Sequence, residues 1–243
     1  MIFKIDPIPI DLDLYMPTCN RKVALELTFR ELLKTLEPLP ISWRLIVVDN
    51  GSTDGTLEFI NEYKNDHVCV VHLDKNYGIE TPLGDIIQQS NAKYIGKMDD
   101  DMLFTTPGWP LKLIEAVNAG ASAVACCHLW GVHPDNPNHI DPTRDVNITA
   151  SIVRLPKNSN IQIMKISHVG GHFICDAGVL KKHWKGIWWK TQTVLPPMIG
   201  YLWPFIYIKH LGNSNIPGNI LTKEWVKQVW NKNYDNWIHR FDR

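Results

Sequence analysis

Over the first 125 residues, apolar and polar positions follow two alternating periods. Short apolar runs of buried-strand type occupy 11–16, 43–48, 68–73 and 94–98, the second of them near-continuously apolar at its end. Between them, apolar residues recur every three or four positions and predict helices over 21–36, from the turn after position 51 to about 63, over 82–90 and over 111–119. Strands alternating with helices predict a mostly parallel sheet flanked by helices on both faces. Asp49-Asn50-Gly51 is turn chemistry, and Ser52, Thr53 and Asp54 supply oxygens to cap the helix that follows. Beyond Ala125 the pattern loosens into a Pro/Asn/His-rich loop at 133–143, a hairpin from 148–155 and 161–167, and a helix starting over 179–184. Helical spacing returns at Trp225, Val229, Tyr234, Trp237 and Phe241, which predicts a C-terminal helix over 222–241.

Composition makes this a globular chain: 44% of its 243 residues are hydrophobic, enough for a substantial core and against intrinsic disorder. The net charge of zero conceals an asymmetry, since the first 120 residues carry 11 basic and 18 acidic side chains and the remainder 14 and 7. The basic half lacks a clustered arginine stripe and the acids gather at strand ends, which disfavours nucleic acid as a partner. Five cysteines without CxxC spacing read as reduced thiols. The N-terminus has acids and prolines where a secretion signal needs a basic start and an unbroken apolar stretch. The most apolar run, 194–208, is interrupted by Pro196, Pro197 and Pro204 and falls short of the roughly 20 residues that span a bilayer. These features predict a cytoplasmic protein, peripheral at a membrane if membrane-associated at all. Seven of the ten tryptophans lie in the last 60 residues, interleaved with Lys181, Lys182, Lys185, Lys190 and Lys209. Three readings fit them: a patch that rests on an anionic membrane, aromatic faces that bind sugar, or a tryptophan-rich core.

Candidate chemistry sits at three strand ends, where ligands bind in open α/β folds. The first is Met16-Pro17-Thr18-Cys19-Asn20-Arg21, a strand running into a turn and helix. The second, LIVVDNGSTDGT at 45–56, puts Asp49 directly beyond an apolar strand, placed to accept hydrogen bonds from a nucleobase or ribose. The third is YIGKMDDDMLF at 94–104. Three consecutive carboxylates repel one another, each close contact costing about 1 kcal/mol even when solvated, so a cation belongs there. Mg2+ or Mn2+ is the economical choice, since carboxylate oxygens suit such ions and they commonly share substrate phosphates.

Together these stretches resemble the family 2 glycosyltransferases of GT-A fold, from about Leu14 to Phe104 with a weaker echo to His210. The resemblance implies a Rossmann-like donor and metal part over 1–125 and a less regular acceptor-side part over 126–243, in one continuous domain. It implies that Pro17, Thr18, Asn20 and Asp49 surround the nucleoside, and that Asn76 and Gly78 begin a further nucleotide-binding segment. That segment departs from the family pattern at Leu83-Gly84, where Arg-Asn is common. Asp99-Asp100-Asp101 matches the D-x-D, with Asp101 a metal ligand, Asp99 and Asp100 facing ribose and sugar, and Asp99 also near the ion. Lys97 answers the acidic cluster or the diphosphate, and His210 is the candidate third protein ligand. The implied activity is metal-dependent transfer of a sugar, in the inverting manner, from a nucleotide-diphosphate donor, UDP by default. Its acceptor would be a saccharide or lipid-linked hydroxyl, in polysaccharide or glycoconjugate synthesis. Inverting members usually carry a Glu-Asp pair as base, but no carboxylate lies between 185 and 209; Asp176 is the best-positioned candidate and His172 a second, and failing both the base is a carboxylate from elsewhere or the configuration is retained. Two other readings stay open: a sugar-1-phosphate nucleotidyltransferase, which ought to have a glycine-rich loop where 15–21 has none, and a non-catalytic nucleotide-sugar or lipid-binding relative.

Overall fold

The computed structural model describes residues 1–104, 106–130, 151–167, 169–203 and 207–210. The chain runs β1 (Pro9–Thr18), α1 (Lys22–Leu36), β2 (Trp43–Asp49), α2 (Thr56–Asn61), β3 (Val68–His72), α3 (Glu80–Gln89), β4 (Asn91–Lys97), β5 (Met102–Leu103) and α4 (Trp109–Asn118). Then follow β6 (Ala123–Ala125), β7 (Cys127–Trp130), β8 (Ser151–Leu155), β9 (Asn158–Lys165), β10 (Phe173–Asp176), α5 (Ala177–His183), α6 (Trp188–Gln192), β11 (Ile199–Trp203) and β12 (Tyr207–His210). The helix expected over 222–241, with Trp225, Trp230 and Trp237, and the loop at 133–143 lie outside the described residues.

Among the described residues nine strands form one sheet in the order β3-β2-β1-β4-β10-β6-β11-β9-β8. The first four are mutually parallel, as the strand–helix alternation predicts, and β10 enters antiparallel between β4 and β6. A separate three-stranded sheet, β5-β12-β7, stands beyond the end of β4. The short strands β5, β6, β7 and β12 escape the period-based reading because two to four residues carry no periodicity.

Period-two alternation sorts β1 between two cores. Leu12, Leu14 and Met16 pack with α1 (Leu25, Phe29, Leu32, Leu36) and α4 (Leu113, Val117) on one face. Tyr15, with Ile46, Val48 and Ile95 of its neighbours, packs with α3 (Leu83, Ile86, Ile87) and Leu180 of α5 on the other. Asp13 also faces inward, at 0% exposure, and is held by Arg44 through two hydrogen bonds of 2.9 Å and by the Ser90 hydroxyl at 2.7 Å. Gly96 lets β10 approach β4, since a Cβ there would lie 2.9 Å from the Phe173 carbonyl oxygen and 2.6 Å from a Leu14 methyl. Among the described residues no helix is long and apolar enough to cross a membrane. The run at 194–208 instead supplies β11 and the start of β12.

Candidate functional site

The parallel strands end together, so the residues following β1, β2, β3 and β4 share one edge of the sheet. Thr18 lies opposite Asp49, and Asp49 opposite His72. The connecting loops are stitched to one another. Asn20 adopts a left-handed backbone (φ 53), which Asn tolerates, donates its N–H to the Ser52 hydroxyl at 2.8 Å and accepts from the Thr53 N–H at 2.7 Å. Gly51 (φ 72) lets the β2 loop cross the next one, where a Cβ would meet the Lys75 backbone at 2.9 Å. Asn76 closes a turn by accepting from the Gly78 N–H at 2.8 Å, and Gly78 (φ 77) faces open space. Ser52 is not a cap of α2: its hydroxyl bonds Asp49, while Asp54 accepts from the Thr56 N–H at 3.0 Å and Gly55 is the capping residue.

The acidic triplet meets cations of the chain's own. Arg21, at the start of α1, sets its Nε 3.4 Å from Asp100 and pairs Nη2 with Asp101. Lys97, on the last position of β4, pairs with Asp99 and donates to the Gly171 carbonyl at 2.8 Å. Asp100 also accepts from the Thr18 hydroxyl at 2.8 Å, and its own carbonyl accepts from Thr28 at 2.9 Å. Burial pushes the Asp100 carboxyl up to about 7, with neighbouring Asp101 reinforcing the shift and Arg21 opposing it. Asp99 is the most open of the three, its side chain 25% exposed. Lys97 thus answers the acidic cluster, one of the two roles read from the sequence. Arg21 is the cation that reading missed, although it closes the Pro17-to-Arg21 motif.

Asp49 is fully buried. One of its oxygens accepts from the Ser52 hydroxyl, and the other accepts from the Ser52 N–H at 3.3 Å and lies 2.8 Å from the His72 Nδ1. A direct nucleoside contact by Asp49 is therefore replaced by internal bonds, and His72 stands between it and solvent. Pro17 is likewise a buried strand position opposite Val48, and Thr18 spends its hydroxyl on Asp100.

Neither residue read as the base is placed for that role. Asp176 lies opposite Tyr94, three positions or about 10 Å back along β4 from Lys97, and caps α5 by accepting from the Val179 N–H at 2.8 Å. His172 is at 0% exposure, its Nε2 accepting from the Cys126 N–H at 2.7 Å and its ring edge-on to Phe104 and Trp109. With that lone pair engaged inside the core, it is a packing residue.

The chain beyond α5 docks on the first half through α6. Glu80, at the start of α3, accepts from the Trp188 N–H at 3.0 Å, and burial raises its pKa. Trp188 stacks on Phe173 with ring centroids 3.7 Å apart and donates its indole N–H to the Val169 carbonyl at 2.8 Å. That tryptophan is core. Trp189, 53% exposed, and Ile187 and Val194 face outward near Lys185 and Lys190. His168 lies outside the described residues.

The donor set suits a hard divalent ion. Among the described residues no group of three or more His, Cys, Asp or Glu gathers around one point. Yet β12 pairs antiparallel with β5 so that His210 lies opposite Met102, the residue after Asp101. The fold therefore brings the His210 backbone beside the triplet from more than 100 positions away in sequence; its side chain is outside the described residues. Asp99 and Asp101 with an imidazole are chemically fit for Mn2+ or Mg2+.

The chain is similar to known proteins in sequence and in fold. The chain is 34% identical over 95 residues to an uncharacterized glycosyltransferase of Synechocystis, covering 38% of this chain and 30% of that one. It is 28% identical over 87 residues to a putative teichuronic acid biosynthesis glycosyltransferase of Bacillus subtilis, covering 35% and 33%. It spans about a third of the length of these curated relatives. The structure superposes on S. aureus TarS 1–349 in complex with UDP-GlcNAc with a TM-score of 0.59 at 17% identity, over 90% of this chain and 64% of that one. It also superposes on the mannosyltransferase PcManGT of Pyrobaculum calidifontis, in complex with GDP-Man and Mn2+, with a TM-score of 0.58 at 15% identity, over 88% and 60%. Both likenesses are of fold, a helix-flanked, mostly parallel sheet of GT-A type. The sequence model of glycosyl transferase family 2 matches residues 13–183, well over half of the chain, and the protein belongs to that family.

Proposed function

We propose that this chain transfers a sugar from a nucleotide-diphosphate donor, with UDP favoured, to a hydroxyl acceptor in polysaccharide or lipid-linked glycan synthesis. One observation carries the reading: the ends of β1, β2 and β4 bring Thr18, Asp49 and the Asp99–Asp101 triplet to one edge, with His210 of β12 returned beside it. Asp99, Asp101 and His210 would hold Mn2+ or Mg2+, which when bound acts as a Lewis acid toward the leaving diphosphate. Thr18 and Arg21 hold Asp100, and Lys97 pairs with Asp99. The neighbours that bind UDP-GlcNAc, or GDP-Man with Mn2+, support the donor class, and relatives named as undecaprenyl-phosphate sugar transferases support a lipid-linked acceptor. The outward Ile187, Trp189 and Val194 beside Lys185 and Lys190 would rest on an anionic membrane surface holding such an acceptor.

The direct test is Mn2+-dependent hydrolysis or transfer from a panel of UDP- and GDP-sugars, comparing the wild type with Asp101→Asn. Turnover that requires Mn2+ and drops at least a hundredfold in the variant is the expected result. Equal turnover in the two proteins would remove the metal role assigned to Asp101.

A further inference from the structure

We infer that His72, oriented by Asp49, reads the nucleobase of the donor and selects bases that carry a ring N–H. The inference rests on the nucleotide-binding reading above. Asp49 has no surface exposure and both its oxygens are engaged, so it does not reach a ligand. The most exposed member of the Ser52–Asp49–His72 unit is the imidazole, whose side chain is 48% exposed at the carboxyl end of β3, while the half-buried Ser52 spends its hydroxyl on Asp49. That end lies in register with Asp49 and one further strand from Thr18, at the edge where the donor is placed.

The chemistry follows from the hydrogen bond. A carboxylate accepts but does not donate, so its 2.8 Å contact assigns the proton of the neutral imidazole to Nδ1 and leaves the Nε2 lone pair as an acceptor. No other hydrogen bond to the His72 side chain forms among the described residues. An acceptor held at this edge complements the N3–H of uracil or thymine and the N1–H of guanine. Cytosine and adenine present a lone pair at the equivalent ring nitrogen, and two lone pairs facing each other leave both unbonded. The unit therefore converts a buried carboxylate into an outward acceptor one ring further from the core, and sets base specificity without Asp49 touching the base.

The test measures equilibrium binding of UDP, GDP, CDP and ADP to the whole chain, with Mn2+ present, for wild type, His72→Ala, His72→Gln and Asp49→Asn. Wild type is expected to bind UDP and GDP at least tenfold tighter than CDP and ADP. His72→Ala should bring the UDP-to-CDP ratio to within about twofold of unity while CDP binding changes little, because the phosphates and metal are untouched. His72→Gln, whose amide oxygen accepts, should restore part of the preference. Asp49→Asn, which can donate to Nδ1 and so move the ring proton to Nε2, should weaken UDP relative to CDP with His72 still in place. An unchanged ratio in His72→Ala would overturn the inference and leave the proposed function standing. Failure of wild type to bind any of the four nucleotides would overturn the proposed function and this inference with it.

Discussion

Arg21 and Asp101, 80 positions apart in sequence, close an ion pair at the carboxyl edge of the sheet, and the same guanidinium reaches Asp100 at 3.4 Å. Three adjacent carboxylates are thereby stabilised by Arg21 on one side and Lys97 on the other. Both aspartates of the Arg21 pair are nearly buried, with side chains 9% and 7% exposed, so the guanidinium is their principal compensation.

Removing that cation is expected to be costly. Arg21→Ala strands two buried carboxylates, and loss of one partner of such a pair destabilises by about 3 kcal/mol. Because a divalent ion at the triplet would offset the charge that loss of Arg21 leaves uncompensated, millimolar Mn2+ should raise the melting temperature of the variant by more than it raises that of wild type. Thermal unfolding with and without Mn2+ checks this, and a variant with no Mn2+ response would show that no ion compensates the triplet.

Asp100 makes stability depend on pH in an unusual direction for a carboxylate. Its folded pKa of about 7 lies above the ordinary aspartate value of 3.8, so between those values the native state holds a proton that the unfolded chain has released. The group's contribution is present in full below about 4 and is lost as pH rises through 7, at no more than about 1.4 kcal/mol per pH unit. Urea unfolding of wild type and Asp100→Asn at pH 5, 6, 7 and 8 isolates it. The gap between them should shift in favour of the variant as pH rises, and a constant gap would refute the assignment.

The buried pair Asp13–Arg44 lies away from the site, at the other end of the sheet, and serves the fold. Asp13→Ala leaves the Arg44 guanidinium buried at 4% exposure with only the Asp6 carbonyl as a further partner among the described residues. A loss of about 3–5 kcal/mol is expected in denaturant unfolding. Nucleotide binding, measured at a temperature where the variant is folded, should be unchanged.

Exposed Trp189 with Lys185 and Lys190 should confer affinity for anionic vesicles. Replacing all three by Ser removes an interfacial indole and two charges worth about 1 kcal/mol each near such a surface, so binding to phosphatidylglycerol vesicles should weaken more than tenfold. Sedimentation against phosphatidylcholine vesicles provides the neutral reference. Equal binding of wild type and variant would assign the patch to something other than a membrane.

The first half was legible because its strands and helices are long enough for period to show. Apolar runs at 43–48 and 68–73 became β2 and β3 to within a residue, and the helix over 21–36 became α1. The Asp99–Asp101 triplet was legible as a site needing positive charge, since like-charge repulsion is a property of adjacent residues. Which cation answers it was not, because Arg21 reaches the triplet only when β1 and β4 are neighbours. Asp176 misled for the same reason. Its place in a strand was right, but the antiparallel entry of β10 carries that residue away from the edge where the strand begins.

Local chemistry alone determined the alternation of elements, the turn after β2, the acidic strand end and, through the matched motifs, the family. Those depend on backbone propensity, side-chain period and charges a few residues apart. Tertiary structure decided which polar atoms are left for a ligand. Parallel register set His72 beside Asp49, burial turned Asp49 into a support, and the pairing of β12 with β5 returned His210 to the triplet. Hydrogen bonding across strands depends on register between distant segments, and no spacing within the sequence encodes it.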